Sequence, residues 1–131
     1  MERDGHRIMI VDDDDLVREG MEMILDGTGH DVRSTTSSLE ALRWLEEEPC
    51  DLLILDFSMP EMDGPELYRR VLARRPINPP QVIFVSGRTE VRGYEDDPDI
   101  LDVPLLVKPF TLSDFYMAVT RALKGQTHVR T

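Results

Sequence analysis

Four short apolar runs constrain this chain most: Ile8-Met9-Ile10-Val11, Leu52-Leu53-Ile54-Leu55, Val82-Ile83-Phe84-Val85 and Leu105-Leu106-Val107. Each is continuous rather than alternating, the pattern of strands buried on both faces of a parallel sheet covered by helices. A fifth, more polar strand is expected around residues 32–35, as suits a sheet edge. Between the runs lie stripes at helical spacing. Leu16, Val17, Gly20, Met21, Ile24 and Leu25 form the first, which Gly27 and Gly29 can stop; Leu39, Leu42 and Leu45 form the second, capped by Ser37 or Ser38. Pro65, Leu67, Val71 and Leu72 form a third with proline in its first turn, and Leu112, Phe115, Val119 and Leu123 a last one capped by Thr111 or Ser113. Strands alternating with helices imply an α/β fold, a three-layer doubly wound sandwich around one five-stranded parallel sheet. At 131 residues the chain suits one domain, read as 1–125, with 126–131 as a loose tail.

In such sheets the chemistry sits at the carboxyl ends of the strands. The first run ends in Asp12-Asp13-Asp14-Asp15, the second in Asp56, the third in Ser86 and the fourth in Lys108-Pro109. An acidic pair, a further carboxylate, a hydroxyl and a lysine are thus expected at one edge. Crowded carboxylates repel one another, and a hard divalent cation such as Mg²⁺, or Mn²⁺, relieves that repulsion through oxygen ligands. A carboxylate held beside the metal can attack phosphorus, while a lysine and a hydroxyl hold the phosphoryl oxygens. Asp14 and Asp15 read instead as a helix N-terminus, where carboxylates cap free amides. Lysine is itself informative here, because the chain uses thirteen arginines and only two lysines.

Composition excludes other roles. Twenty-six acidic against fifteen basic residues give a formal charge of -11, which disfavours direct nucleic-acid binding. The single cysteine, Cys50, cannot form an intramolecular disulfide, and no long apolar stretch opens the chain, so a cytoplasmic protein without membrane insertion is expected. The histidines at 6, 30 and 128 lie among polar neighbours and carry no assigned role; Trp44 reads as packing and Arg69, Arg70, Arg74 and Arg75 as a solvated helix face.

Taken together, Ile10-Val11-Asp12-Asp13, Leu55-Asp56 with Met59-Pro60 and Met62-Asp63-Gly64, Val85-Ser86 and Lys108-Pro109-Phe110 resemble the receiver domain of bacterial two-component response regulators, over nearly the whole chain. Asp13 and Asp56 are 43 positions apart, Asp56 and Ser86 30, and Ser86 and Lys108 22, spacings typical of that family. The resemblance implies a flavodoxin-like receiver fold with strand order 2-1-3-4-5. It implies that Asp56 accepts a phosphoryl group from a phosphohistidine of a sensor histidine kinase or histidine phosphotransfer protein, with Mg²⁺ (or Mn²⁺) bound by Asp13, Asp56 and the backbone carbonyl of Ser58, and by Asp12 mainly through water. Lys108 would pair with the phosphoryl group and Ser86 would move toward it. A cis bond is expected between Lys108 and Pro109. Val17, Gly20, Pro109 and Phe110 would dock the phosphodonor, and an unknown downstream protein would read the phosphorylated state.

The chain departs from the family in two places. Leu105 stands where an aromatic residue usually reports on phosphorylation, and the acidic stretch from Tyr94 to Pro104 contains Pro98, expected to end any helix, so the fourth helix should be short or irregular. A homodimer through the face of the fourth helix, last strand and fifth helix is left open. The Ser-Gly-Arg-Thr at 86–89 looks most like receivers of hybrid sensor kinases, and with no output domain after residue 131 the output should be a protein contact or onward phosphotransfer. A phosphatase acting on external substrates is the enzymatic rival. Haloacid-dehalogenase-like enzymes place a second aspartate two residues after the nucleophile, and Ser58 occupies that position, which favours a signalling domain that catalyses only its own phosphorylation and dephosphorylation. Asp63-Gly64 is read as a turn that needs glycine for its backbone conformation.

Overall fold

The computed structural model describes residues 5–74, 78–87, 94 and 96–125. Ten elements follow in strict alternation: β1 (Arg7–Val11), α1 (Asp15–Leu25), β2 (Asp31–Thr35), α2 (Ser38–Glu47), β3 (Leu52–Asp56), α3 (Gly64–Arg74), β4 (Gln81–Ser86), α4 (Pro98–Leu101), β5 (Leu105–Val107) and α5 (Leu112–Leu123). The strands form one parallel sheet in the order β2-β1-β3-β4-β5.

Continuous apolar strands place side chains on both faces, and two cores result. Met9, Val11, Leu53, Leu55, Val82 and Phe84 pack against α2, α3 and α4 on one face. Ile8, Ile10, Leu52, Ile54, Ile83 and Val85 pack against α1 and α5 on the other. Period-two side-chain direction is why one run feeds both layers. Phe84 and Phe115, one from each core, are among the largest fully buried side chains.

Helix ends follow local chemistry. Asp14 caps α1 by accepting from the amides of Leu16 and Val17, and Asp15 lies in its first turn. Ser37 caps α2 through the Glu40 amide, and Thr111 caps α5 through the Asp114 amide. Gly27 and Gly29 follow α1 with φ of 80° and 87°, a conformation open to glycine at no steric cost. Trp44 packs on the core edge with the Arg33 guanidinium 3.7 Å above its ring. Arg69, Arg70 and Arg74 pair with Asp97, Glu66 and Glu46, a solvated ion-pair face as expected, with Arg75 outside the described residues.

Several expectations need correction. The fourth helix is indeed short, four residues, but Pro98 opens it rather than ends it, because the missing amide of a proline costs nothing in a first turn. The run at 105–107 is not buried on both faces: β5 is the sheet edge, and Leu105 and Val107 are each 41% exposed while Leu106 packs inward. Gly64 does not have positive φ; it is a glycine because of a close approach described below. His6 is half-buried beside His30, whose Nδ1 accepts from the His6 amide at 2.9 Å. His128 and the rest of the 126–131 tail lie outside the described residues.

Candidate functional site

Strand register brings the sequence-predicted residues to one level. Val11 is in register with Thr35 and Leu55, Asp56 with Val85, and Ser86 with Val107. Beyond the ladders the pairing continues: the Asp12 amide donates to the Thr35 carbonyl, Phe57 to Val85 and Lys108 to Ser86, at 3.1, 2.8 and 2.7 Å. Asp12, Asp56, Ser86 and Lys108 therefore leave the sheet side by side at its carboxyl edge. The Lys108-Pro109 bond is cis, as expected.

Carboxylate oxygens of Asp12, Asp13 and Asp56 all lie within 4.8 Å of one another. Asp12 is fully buried and Asp56 only 4% exposed, whereas Asp13 is open to solvent. Lys108 Nζ stands 3.7 Å from Asp12 Oδ2 and 3.6 Å from Asp56 Oδ1, close enough to offset charge. One ammonium does not offset two buried carboxylates. Burial first, and then the neighbouring Asp12 charge, push the Asp56 carboxyl up to about 8, with Lys108 pulling the other way. Burial likewise raises Asp12, against the Asp14 amide that its Oδ1 accepts at 2.9 Å.

Asp12 Oδ2 is buried with no hydrogen-bond partner among the described residues. A buried carboxylate oxygen in that state is costly, and oxygen-only donors crowded this closely suit a hard divalent cation. The residues present therefore fit a metal such as Mg²⁺. Ser58 follows two residues after Asp56, is exposed, and turns its amide toward Asp56 Oδ1 at a long 3.5 Å. Ser86 is buried, and its hydroxyl donates to the Gly87 carbonyl at 2.7 Å.

The loop after Asp56 is held firmly. Asp63 Oδ1 accepts from the Glu66 amide at the start of α3, the Gly64 amide donates to the Phe57 carbonyl, and the Ser38 hydroxyl donates to the Met62 carbonyl. A Cβ on Gly64 would meet the Asp56 carbonyl oxygen at 2.6 Å. Beside the acidic cluster, Val17, Gly20, Pro109 and Phe110 all line one groove of about 490 Å³ together with Leu16, Met21, Ile24, Lys108 and Leu112. Leu16 and Leu112 belong to apolar helical stripes, yet both stand exposed on its walls, at 82% and 70%. Arg18 was not singled out from sequence. Its Nη1 donates to the Asp12 carbonyl and its Nη2 pairs with Asp15, and the three-residue spacing from Asp15 was the available signal.

A parallel doubly wound sheet with this edge chemistry defines a CheY-like receiver fold. The structure of a CheY-like response regulator receiver domain protein from Methanospirillum hungatei is similar with a TM-score of 0.79, covering 92% of this chain and 95% of that one at 24% identity. Residues 8–120 match the response regulator receiver domain, and the chain belongs to that family of two-component signalling proteins. It is 34% identical to the response regulator receiver protein CpdR of Brucella abortus over 89% of this chain and 96% of that protein. It is 35% identical to the sensor kinase CckA of the same organism over 91% of this chain, but spans only 13% of that kinase. Among the described residues no helix is long and apolar enough to cross a membrane.

Proposed function

We propose that Asp56 is the phosphoacceptor of a Mg²⁺-dependent phosphorelay step. The observation that supports this best is the meeting of Asp12, Asp13, Asp56 and Lys108 at one strand edge, with an Asp12 oxygen left without a hydrogen bond among the described residues. Asp13, Asp56 and the Ser58 carbonyl would hold the cation, with Asp12 acting mainly through water; Mn²⁺ has the same ligand preference. The metal, when bound, supplies charge stabilisation for phosphoryl oxygens.

The chain's own residues do the rest. An Asp56 carboxylate oxygen forms the new O–P bond as the N–P bond of the donor phosphohistidine breaks, and the imidazole nitrogen keeps the electron pair. Lys108 then faces phosphoryl oxygen in place of one carboxylate oxygen. Ser86, 0% exposed and bonded to the next carbonyl, has to turn to reach the phosphoryl group, which moves the backbone after it. The chain acts as a signalling domain that turns over only its own phosphoryl group. The donor, a sensor histidine kinase or histidine phosphotransfer protein, would seat on the groove lined by Val17, Gly20, Pro109 and Phe110. Exposed Leu101, Leu105, Val107 and Tyr116 on α4, β5 and α5 offer apolar surface for an output contact, including a homodimer. The domain is read as 1–125 with a tail at 126–131, acting in the cytoplasm.

Intact mass after incubation with acetyl phosphate and Mg²⁺ tests the reading. A gain of one phosphoryl group, about 80 Da, should appear in the wild type, vanish in Asp56→Asn and with excess chelator, and form much more slowly in Lys108→Ala. Full labelling of Asp56→Asn would overturn the assignment of Asp56.

A further inference from the structure

A row of aromatic rings runs beside the candidate phosphoacceptor. Phe57 directly follows Asp56, is 3% exposed, and bonds through its amide to Val85. Its ring meets Phe84 edge-on at 5.2 Å and Tyr94 edge-on at 5.1 Å, and Phe84 in turn meets Tyr68 at 5.7 Å. Tyr94 thereby ends a row of four rings that begins on α3 and passes beneath the phosphoacceptor loop.

Tyr94 is also held at its polar end. Its hydroxyl donates to Asp63 Oδ2 at 3.3 Å, while the other oxygen of Asp63 accepts from the first turn of α3. Its carbonyl accepts from the Asp97 amide, and the Asp97 carboxylate pairs with Arg69 of α3. One side chain thus touches both ends of the loop 57–63, the loop that contains Ser58. The residue itself belongs to the connection between β4 and α4, seven positions after Gly87.

We propose that Tyr94 is a positioning residue that ties the loop carrying Ser58 to the chain leading out of Ser86, so that loading of Asp56 changes the surroundings of the Tyr94 ring. The inference rests on Asp56 being the phosphoacceptor. The ring and hydroxyl contacts have different partners, and each is directional. An edge-on aromatic pair fixes ring orientation, and a hydroxyl bond to a carboxylate fixes its tip. Displacement of Tyr94 relative to the 57–63 loop would turn its ring off Phe57 or draw its hydroxyl from Asp63. Leu105, 41% exposed at the sheet edge, has neither a ring nor a polar tip with which to register that movement.

Biosynthetic 3-fluorotyrosine tests this in the otherwise unaltered protein. The chain has three tyrosines, so tyrosine-to-phenylalanine variants assign the three ¹⁹F resonances. Beryllofluoride added with Mg²⁺ gives its own ¹⁹F signal when bound, and Asp56→Asn serves as the unloaded control. The Tyr94 resonance should shift on loading in the wild type and stay in place in Asp56→Asn. Tyr94→Leu should weaken beryllofluoride binding several-fold, and Tyr94→Phe, which keeps the ring on Phe57, should recover much of it. A Tyr94 resonance that does not move while bound beryllofluoride is visible would overturn the inference and leave Asp56 as acceptor. Equal affinity in wild type and Tyr94→Leu would also overturn it. Absence of any bound beryllofluoride in the wild type would instead remove the phosphoacceptor reading, and this inference with it.

Discussion

Gly64 approaches Asp56 so closely that an added Cβ would stand 2.6 Å from the Asp56 carbonyl oxygen and 3.0 Å from the Phe57 Cα. Both obstacles are backbone, so no side chain can swing away to make room. The first residue of α3 is thus packed against the end of the strand that carries the candidate acceptor.

Gly64→Ala should therefore destabilise the fold by about 1–3 kcal/mol, the usual cost of overpacking a tight site. It should also slow labelling of Asp56 by acetyl phosphate, since the backbone displaced is that of Asp56 itself. Chemical unfolding and the rate of mass gain measure the two effects. A variant as stable as wild type would show that the contact relaxes freely.

Metal-free stability should fall as pH rises. Asp56 titrates near 8 in the folded chain and near 3.8 without the fold, so between those values the folded state holds a proton that the unfolded state has released. Stability from this group is complete below about pH 4 and is lost as pH passes through about 8. Asp56→Asn carries no charge to bury, so with chelator present its advantage over wild type should widen from pH 5 to pH 9. Mg²⁺ competes with the proton for the carboxylate, and its stabilisation of wild type should be larger at pH 8.5 than at pH 6. Thermal unfolding across this range, with and without Mg²⁺, measures both trends.

Donor docking is best tested at Leu16. Phe110 stacks on buried Phe115 at 5.9 Å, so changing it also disturbs a core residue. Leu16 is 82% exposed on the same groove, and its amide already bonds to Asp14. Leu16→Gln keeps helix propensity and the charge of the site unchanged. It should leave stability and acetyl phosphate labelling unaltered while slowing transfer from a phosphohistidine protein roughly tenfold, as expected for losing about 1.4 kcal/mol at an interface. Equal rates with both donors would remove Leu16 from the docking surface.

The sequence by itself determined the sheet, because short unbroken apolar runs alternating with helical stripes read as strands covered by helices, and the polar residue closing each run announced the edge where chemistry would gather. Asp12, Asp13, Asp56, Ser86 and Lys108 were legible for that reason, as were the caps at Asp14, Ser37 and Thr111, whose bonds reach only two or three residues. Tertiary structure alone decided what depends on distant neighbours. Leu105 and Val107 are apolar like the other runs, but an edge position leaves their sheet face uncovered, and nothing in so apolar a run marks it as an edge in the way the polar residues of β2 do. Gly64 is a glycine because of a strand backbone eight positions away in sequence and in contact in space. Tyr94 sits in a stretch without periodicity, and its meeting with Phe57 and Asp63 spans more than thirty residues of chain, so only the folded sheet brings them together. The raised Asp56 carboxyl has the same origin: the residue type is written in the sequence, but desolvation and the nearby Asp12 charge exist only once the strands align.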